Sequence, residues 1–163
     1  MPPLNADERV NLESWLDFYR ATLAMKCEGL TEEQLRTASV APSPLTLLGL
    51  VQHLAEVERN WFRRVLTGEE APAIYAGKAE PAGHDEGFGL SGESSFETAR
   101  NTWQDEISRA RVNCASRSLD DTAPFMGGEV SLRWIYTHML GEYARHDGHA
   151  DFIRERIDGS TGV

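Results

Sequence analysis

Residues 131–159 read SLRWIYTHMLGEYARHDGHADFIRERIDG. Within them Leu132, Ile135, Met139, Glu142, His146, His149 or Ala150, Ile153 and Ile157 recur at intervals of three and four. That spacing lays one stripe along a helix. Ser131 is suited to cap its start, and Asp158-Gly159 to end it. The stripe is apolar at both ends, but its middle carries a carboxylate and one or two imidazoles. A Glu on a buried face among Met and Ile costs several kcal/mol unless it is paired, neutralised or bound to a cation. Several such groups stacked on one stripe make a coordinated cation the economical explanation. Imidazole with carboxylate suits a divalent metal such as zinc, with nickel or iron as alternatives.

Three further helices precede this one. The first is expected from Ala6 to Glu28, with Asn5 and Glu8 at the capping-box spacing and Gly29 just past its end. Its stripe is Leu12, Trp15, Leu16, Tyr19, Leu23 and Cys27. Thr31 and Gln34 form a second capping box, opening a short turn that includes Leu35. Ser43-Pro44, a cap followed by proline, predicts a second long helix running to Leu66 and stopping at Gly68. Its wide apolar face is Leu47, Leu50, Val51, Leu54, Val57, Trp61 and Val65, with His53 at the border. Ser94 with Glu97 predicts the start of a third, whose shared face is Phe96, Ala99, Trp103, Ile107, Ala110 and Cys114. No segment reads as a strand and no repeat is visible. Residues 69–92, rich in Gly and Pro, are too long for a simple helix connection. They either cross the end of a bundle, cover a site, or contribute to a homodimer contact. The expected architecture is all-α: one domain over residues 1–163, a four-helix bundle with a long crossover between the second and third helices.

Composition bounds the partners. The chain of 163 residues carries 16 Lys and Arg against 26 Asp and Glu, a formal charge of −10. This disfavours nucleic acid, whose phosphates need cations, and anionic membrane surfaces alike. No apolar run is long enough to span a bilayer. The first residues, MPPLNADERVNLESW, lack the basic and apolar regions of a signal peptide, so the cytoplasm is expected. Cys27 and Cys114 form no close-spaced motif and read as reduced, buried thiols. A small-molecule substrate is the remaining class of partner.

Helix geometry limits the ligand set. Residues four apart have Cβ atoms about 6 Å from each other, near enough to share an ion. Glu142 with His146 and His138 with Glu142 meet this condition, as does His146 with His149 at three apart. His138 and His146 are separated by roughly 12 Å of rise, too far for one ion. His146 belongs to two of the three pairs. A further ligand must come from another helix, and His53 is the histidine at the edge of a long apolar face; His84 lies in the Gly-rich loop. The candidate site is His53, Glu142 and His146, with His149 as a fourth ligand or as a group bonded to one. Three protein ligands leave a position open, the catalytic pattern. Each residue has a plainer reading: His53 as a satisfied half-buried histidine, Glu142 as an ion-pair partner of Arg20 or another arginine, His138 as a core-edge histidine. Arg145, Asp147, Arg154 and Glu155 read as a solvated face. The tryptophans Trp15, Trp61, Trp103 and Trp134, one per helix, read as core or cavity wall.

The stretch LLGLVQHLAEVERNWF around His53, together with residues 131–159, resembles the DinB-like superfamily of metal-binding bundles. It looks closest to the branch that includes a mini-circle-encoded reading frame. The resemblance covers nearly the whole chain. It implies an up-down-down-up bundle with a divalent metal held by a histidine on the second helix and two residues four apart on the last. The usual last-helix pair is His-xxx-His, and the first position here is Glu142. In this the chain is similar to the mycothiol-dependent maleylpyruvate isomerase branch, which also uses Glu-xxx-His. His149 stands where many relatives carry Gln. Relatives imply thiol-dependent chemistry with a low-molecular-weight thiol such as mycothiol. The expected function is therefore a metal-dependent transfer of such a thiol to a small electrophile. Hydrolysis by metal-bound water, and a non-catalytic metal-binding stress-response module, are the alternatives.

Overall fold

Each long helix begins where a side-chain oxygen takes up an N–H of the first turn. In the computed structural model, which describes residues 1–75 and 87–162, helix α1 spans Glu8–Cys27 and Asp7 accepts from the Val10 N–H. Thr31 and Gln34 form the full capping box of the short α2, Glu32–Leu35. Helix α3 spans Leu47–Arg59 and runs on as a π-helical segment, Asn60–Val65. Helix α4 spans Phe96–Cys114 and α5 spans Leu132–Asp158, the latter capped by Ser131 and closed by Gly159 in the left-handed region.

Three starts differ from the sequence expectation, for one reason. The cap is Asp7 rather than Asn5, Thr46 rather than Ser43, and Ser95 rather than Ser94. In each case the residue nearer the helix bonds the N–H three positions on. Ser43 and Ser94 instead accept from the N–H groups of Leu45 and Ser91 in the preceding turns.

The expectation of no strand is corrected. Thr122–Phe125 (β1) and Gly128–Ser131 (β2) pair antiparallel. Met126 and Gly127 between them both have positive φ, 50° and 80°, as a two-residue hairpin turn of the primed kind requires. Four-residue strands with a proline in one of them carry too short an alternation to be read from sequence.

The chain is thus mostly helical, with this hairpin delivering the chain into α5. Cross-helix bonds give the relative directions. Glu8 with Arg133 and Lys26 with Asp151 set α1 parallel to α5. Arg59 with Glu106, and Asn113 with the Phe62 carbonyl, set α3 parallel to α4. Trp61 against Trp134, and His53 against His146, set α3 antiparallel to α5. The core between them holds Leu16, Leu23, Leu50, Leu54, Phe62, Ile135, Met139 and Ile153. Of the four tryptophans, Trp61 and Trp103 are buried, but Trp15 and Trp134 are 41% and 46% exposed, so the core reading fails for those two. Trp15 packs on Phe18 and Tyr19 of its own helix, and Trp134 packs on His138 and on Trp61 across to the neighbouring helix.

A polar knot pins the helices in register. Glu58 on α3 is fully buried and takes two bonds of 2.8 Å from the Arg20 guanidinium of α1. Tyr143 of α5 donates to Glu58 at 2.7 Å and accepts from the Trp103 indole of α4 at 2.7 Å. One carboxylate therefore joins all four long helices, with its charge and lone pairs satisfied. Tyr143 lies between Glu142 and His146 in sequence, so this knot also sets the rotation of α5 at the candidate site.

Candidate metal centre

His53 projects from the middle of α3 and Glu142 and His146 from the middle of α5, where the two helices pass antiparallel. The His53 Nε2 is 3.6 Å from Glu142 Oε2, and the His146 Nε2 is 3.7 Å from the same oxygen. The two imidazoles meet edge to face, with centroids 4.6 Å apart. Among the described residues, these three form the one such cluster whose donor atoms all lie within 4.8 Å of each other. Both histidines are buried, and the Glu142 side chain is 14% exposed. The sequence reading placed these three together, and the structure brings them together.

Electrostatics prepare the donors. Burial pushes His146 down to about 3, and the imidazoles of His53 and His149 push in the same direction. It is neutral at pH 7, with a ring lone pair free to bind a cation. The His149 Nδ1 lies 3.3 Å from the His146 Nδ1. That contact engages the Nδ1 side of His146 and leaves Nε2 facing Glu142. His149 thus lies beside His146 and outside the cluster of three whose donor atoms converge. Glu142 has one further partner, the exposed Arg145, at 3.4 Å.

The far side of the site is closed by the chain after residue 86. Phe88 stacks on His53 with centroids 4.0 Å apart and planes 15° apart, and lies 5.5 Å from His146. Gly87 has φ of +95°, and a Cβ there would come within 3.2 Å of the His53 Cα. On α3, a Cβ at Gly49 would reach 2.7 Å from the Phe88 carbonyl oxygen. Both glycines allow backbone to lie directly on backbone over the histidine. The Gly-rich stretch thus covers one side of the site through residues 87–89. The pattern of the sequence did not single out Phe88.

Other candidates fall elsewhere. His138 sits one turn before Glu142, between the rings of Trp61 and Trp134. His84 lies outside the described residues. Arg20, a candidate partner for Glu142, is committed to Glu58 instead. Asp147 contradicts its expected place on a solvated face: it is 5% exposed, and neither oxygen has a hydrogen-bond partner among the described residues. The helix turns it toward α1, where Lys26 pairs with Asp151 instead.

Two imidazoles and one carboxyl group converging on a common point are the donor set of a borderline divalent cation, and the residues present fit one. Neither curated proteins nor solved structures gave a match to the chain. The Mycothiol-S-transferase family matches residues 11–159, which takes in most of α1, His53, Glu142 and His146, and all of α5. On that match the chain belongs to the mycothiol S-transferase family, a member of the DinB-like superfamily.

Proposed function

We propose that the protein is a divalent-metal-dependent transferase that joins a low-molecular-weight thiol, mycothiol or a close analogue, to a small electrophile. His53, Glu142 and His146 would hold the ion, zinc in the first instance. The observation that carries this reading is the convergence of those three donors within 4.8 Å in a chain of this family. A bound ion of this class supplies a lowered pKa for a thiol that reaches it, and so a thiolate near neutral pH.

The chain's own residues supply the rest. Glu142 is the single anionic donor, so the set does not neutralise a divalent charge. His149 holds the His146 ring in the orientation that turns Nε2 inward. Phe88 packs on the His53 ring and keeps water from that face. Glu58, through Tyr143, holds α5 at the rotation that brings Glu142 and His146 to His53. The chain's own thiols are not candidates for the nucleophile, because both are buried.

The helix directions described above support an up-down-down-up four-helix bundle. The Glu-xxx-His pair supports a metal site like that of the mycothiol-dependent maleylpyruvate isomerases. The test is transfer of mycothiol to 1-chloro-2,4-dinitrobenzene, followed by absorbance before and after chelation. Activity that disappears on chelation and returns with zinc is the expected result. Full activity in metal-free protein would contradict the reading.

A further inference from the structure

A pocket of about 410 Å³ opens beside the metal centre, with Glu142 in its wall and Glu56, Val57, Asn60, Trp61, Arg64 and His138 around it. Its rings are mutually braced. Trp61 lies 4.5 Å from His138, and His138 stacks on Trp134 at 5.0 Å with planes 6° apart. Trp61 in turn lies 5.2 Å from both Trp134 and Phe125. The π-helical segment Asn60–Val65 contributes Asn60, Trp61 and Arg64 to this wall, and such segments recur at functional sites.

The rings, rather than the charges, decide what the pocket suits. Its one cation, Arg64, is held by Glu56 at 3.1 Å and by the Ala71 carbonyl at 2.6 Å. Glu56 also takes the N–H groups of Ile74 and Tyr75, at 2.7 and 3.0 Å. The remaining charge in the lining is the carboxylate of Glu142. Each charged side chain of the lining thus has a partner, Glu142 having Arg145 at 3.4 Å, and what the pocket offers a flat ring is rigid aromatic surface.

We propose that this pocket is the subsite for the electrophile, and that it takes flat, aromatic or conjugated acceptors against Trp61 and His138. The inference rests on the transferase reading and names its second substrate. In the transfer the sulfur electron pair of the thiolate forms the new C–S bond. The pair displaced from the acceptor carbon leaves with the departing group, or moves onto the conjugated oxygen in an addition. The proton given up by the thiol ends on that group or on the product.

The test uses 2-naphthol as an unreactive probe of the full-length protein, with the indole N–H signals of Trp61 and Trp134 followed by NMR. Both signals should shift to saturation. His138→Ala and Trp134→Ala should each weaken binding about tenfold while metal content and thermal unfolding stay as in the wild type. Cyclohexanol, a hydroxyl on a non-aromatic ring, should bind at least roughly tenfold more weakly. Unmoved tryptophan signals, unchanged binding in both variants, or equal binding of cyclohexanol would each overturn the subsite. Metal analysis and thiol transfer on the same samples separate the two readings. Protein that transfers thiol yet ignores 2-naphthol loses only the subsite. Protein that binds the ring at Trp61 but neither holds metal nor transfers thiol loses the transferase reading and the pocket's assignment to an electrophile, and keeps only a ring-binding pocket.

Discussion

Asp147 shows how far a single side chain can depart from its surroundings. Its carboxyl is buried with no hydrogen-bond partner among the described residues, and burial, with Asp151 adding, pushes it up to about 7. Unfolded, the same group ionises near pH 4. A carboxyl whose pKa is raised by folding contributes its stability at low pH, and that contribution declines from about pH 4 and is lost once pH passes 7. Asp147→Asn should therefore be more stable than the wild type above pH 7, by ~1–3 kcal/mol, with the advantage vanishing toward pH 4. Urea unfolding at both ends of that range measures it, and an advantage independent of pH would refute the account. The cysteines make a second prediction. Burial pushes Cys27 up to about 12 and raises Cys114 as well. Neither should react with Ellman's reagent in native protein at pH 8, and both should react once it is unfolded. Rapid labelling of the native protein would contradict this and would reopen the question of where the nucleophile comes from.

At the scale of elements, the knot of Arg20, Glu58, Tyr143 and Trp103 binds the long helices to one another. Replacing Arg20 with Met leaves the fully buried Glu58 without its cation and should cost about 3–5 kcal/mol in chemical unfolding. A loss below about 1 kcal/mol would mean that Glu58 is solvated or neutral in solution. None of this knot is visible in the sequence, because its members are far apart in the chain and each sits on a different helix. The helices themselves are legible, since periodicity extends over whole elements. The stripes of α4 and α5 were read residue by residue, and Gly29, Gly68 and Gly159 end their helices at positive φ. Exact starts were less so, because neighbouring Asn, Asp, Ser and Thr compete for the same N–H groups. The hairpin was missed because Thr122–Phe125 and Gly128–Ser131 are too short to show a period.

At the scale of the whole molecule, the candidate metal site was half written in one helix and half in the fold. A glutamate and a histidine interrupting an apolar stripe marked Glu142 and His146 before any contact was known. His53 could be chosen only because few histidines competed for the place. Phe88 and the ring pocket depend on how distant segments meet, and no local pattern reports that. Chelation should abolish thiol transfer while lowering the melting temperature only modestly, since Glu58 and the apolar core hold α3 against α5 without the ion. Loss of the folded state on chelation would indicate a bracing rather than a catalytic metal. The most direct test of the central claim is elemental analysis of purified wild type beside His53→Ala, His146→Ala and His149→Ala. The account predicts about one divalent ion per chain in the wild type. It predicts that the first two variants lose the ion, and that His149→Ala keeps it with affinity weakened about 10–100-fold. Stoichiometric metal in both His53→Ala and His146→Ala would contradict it.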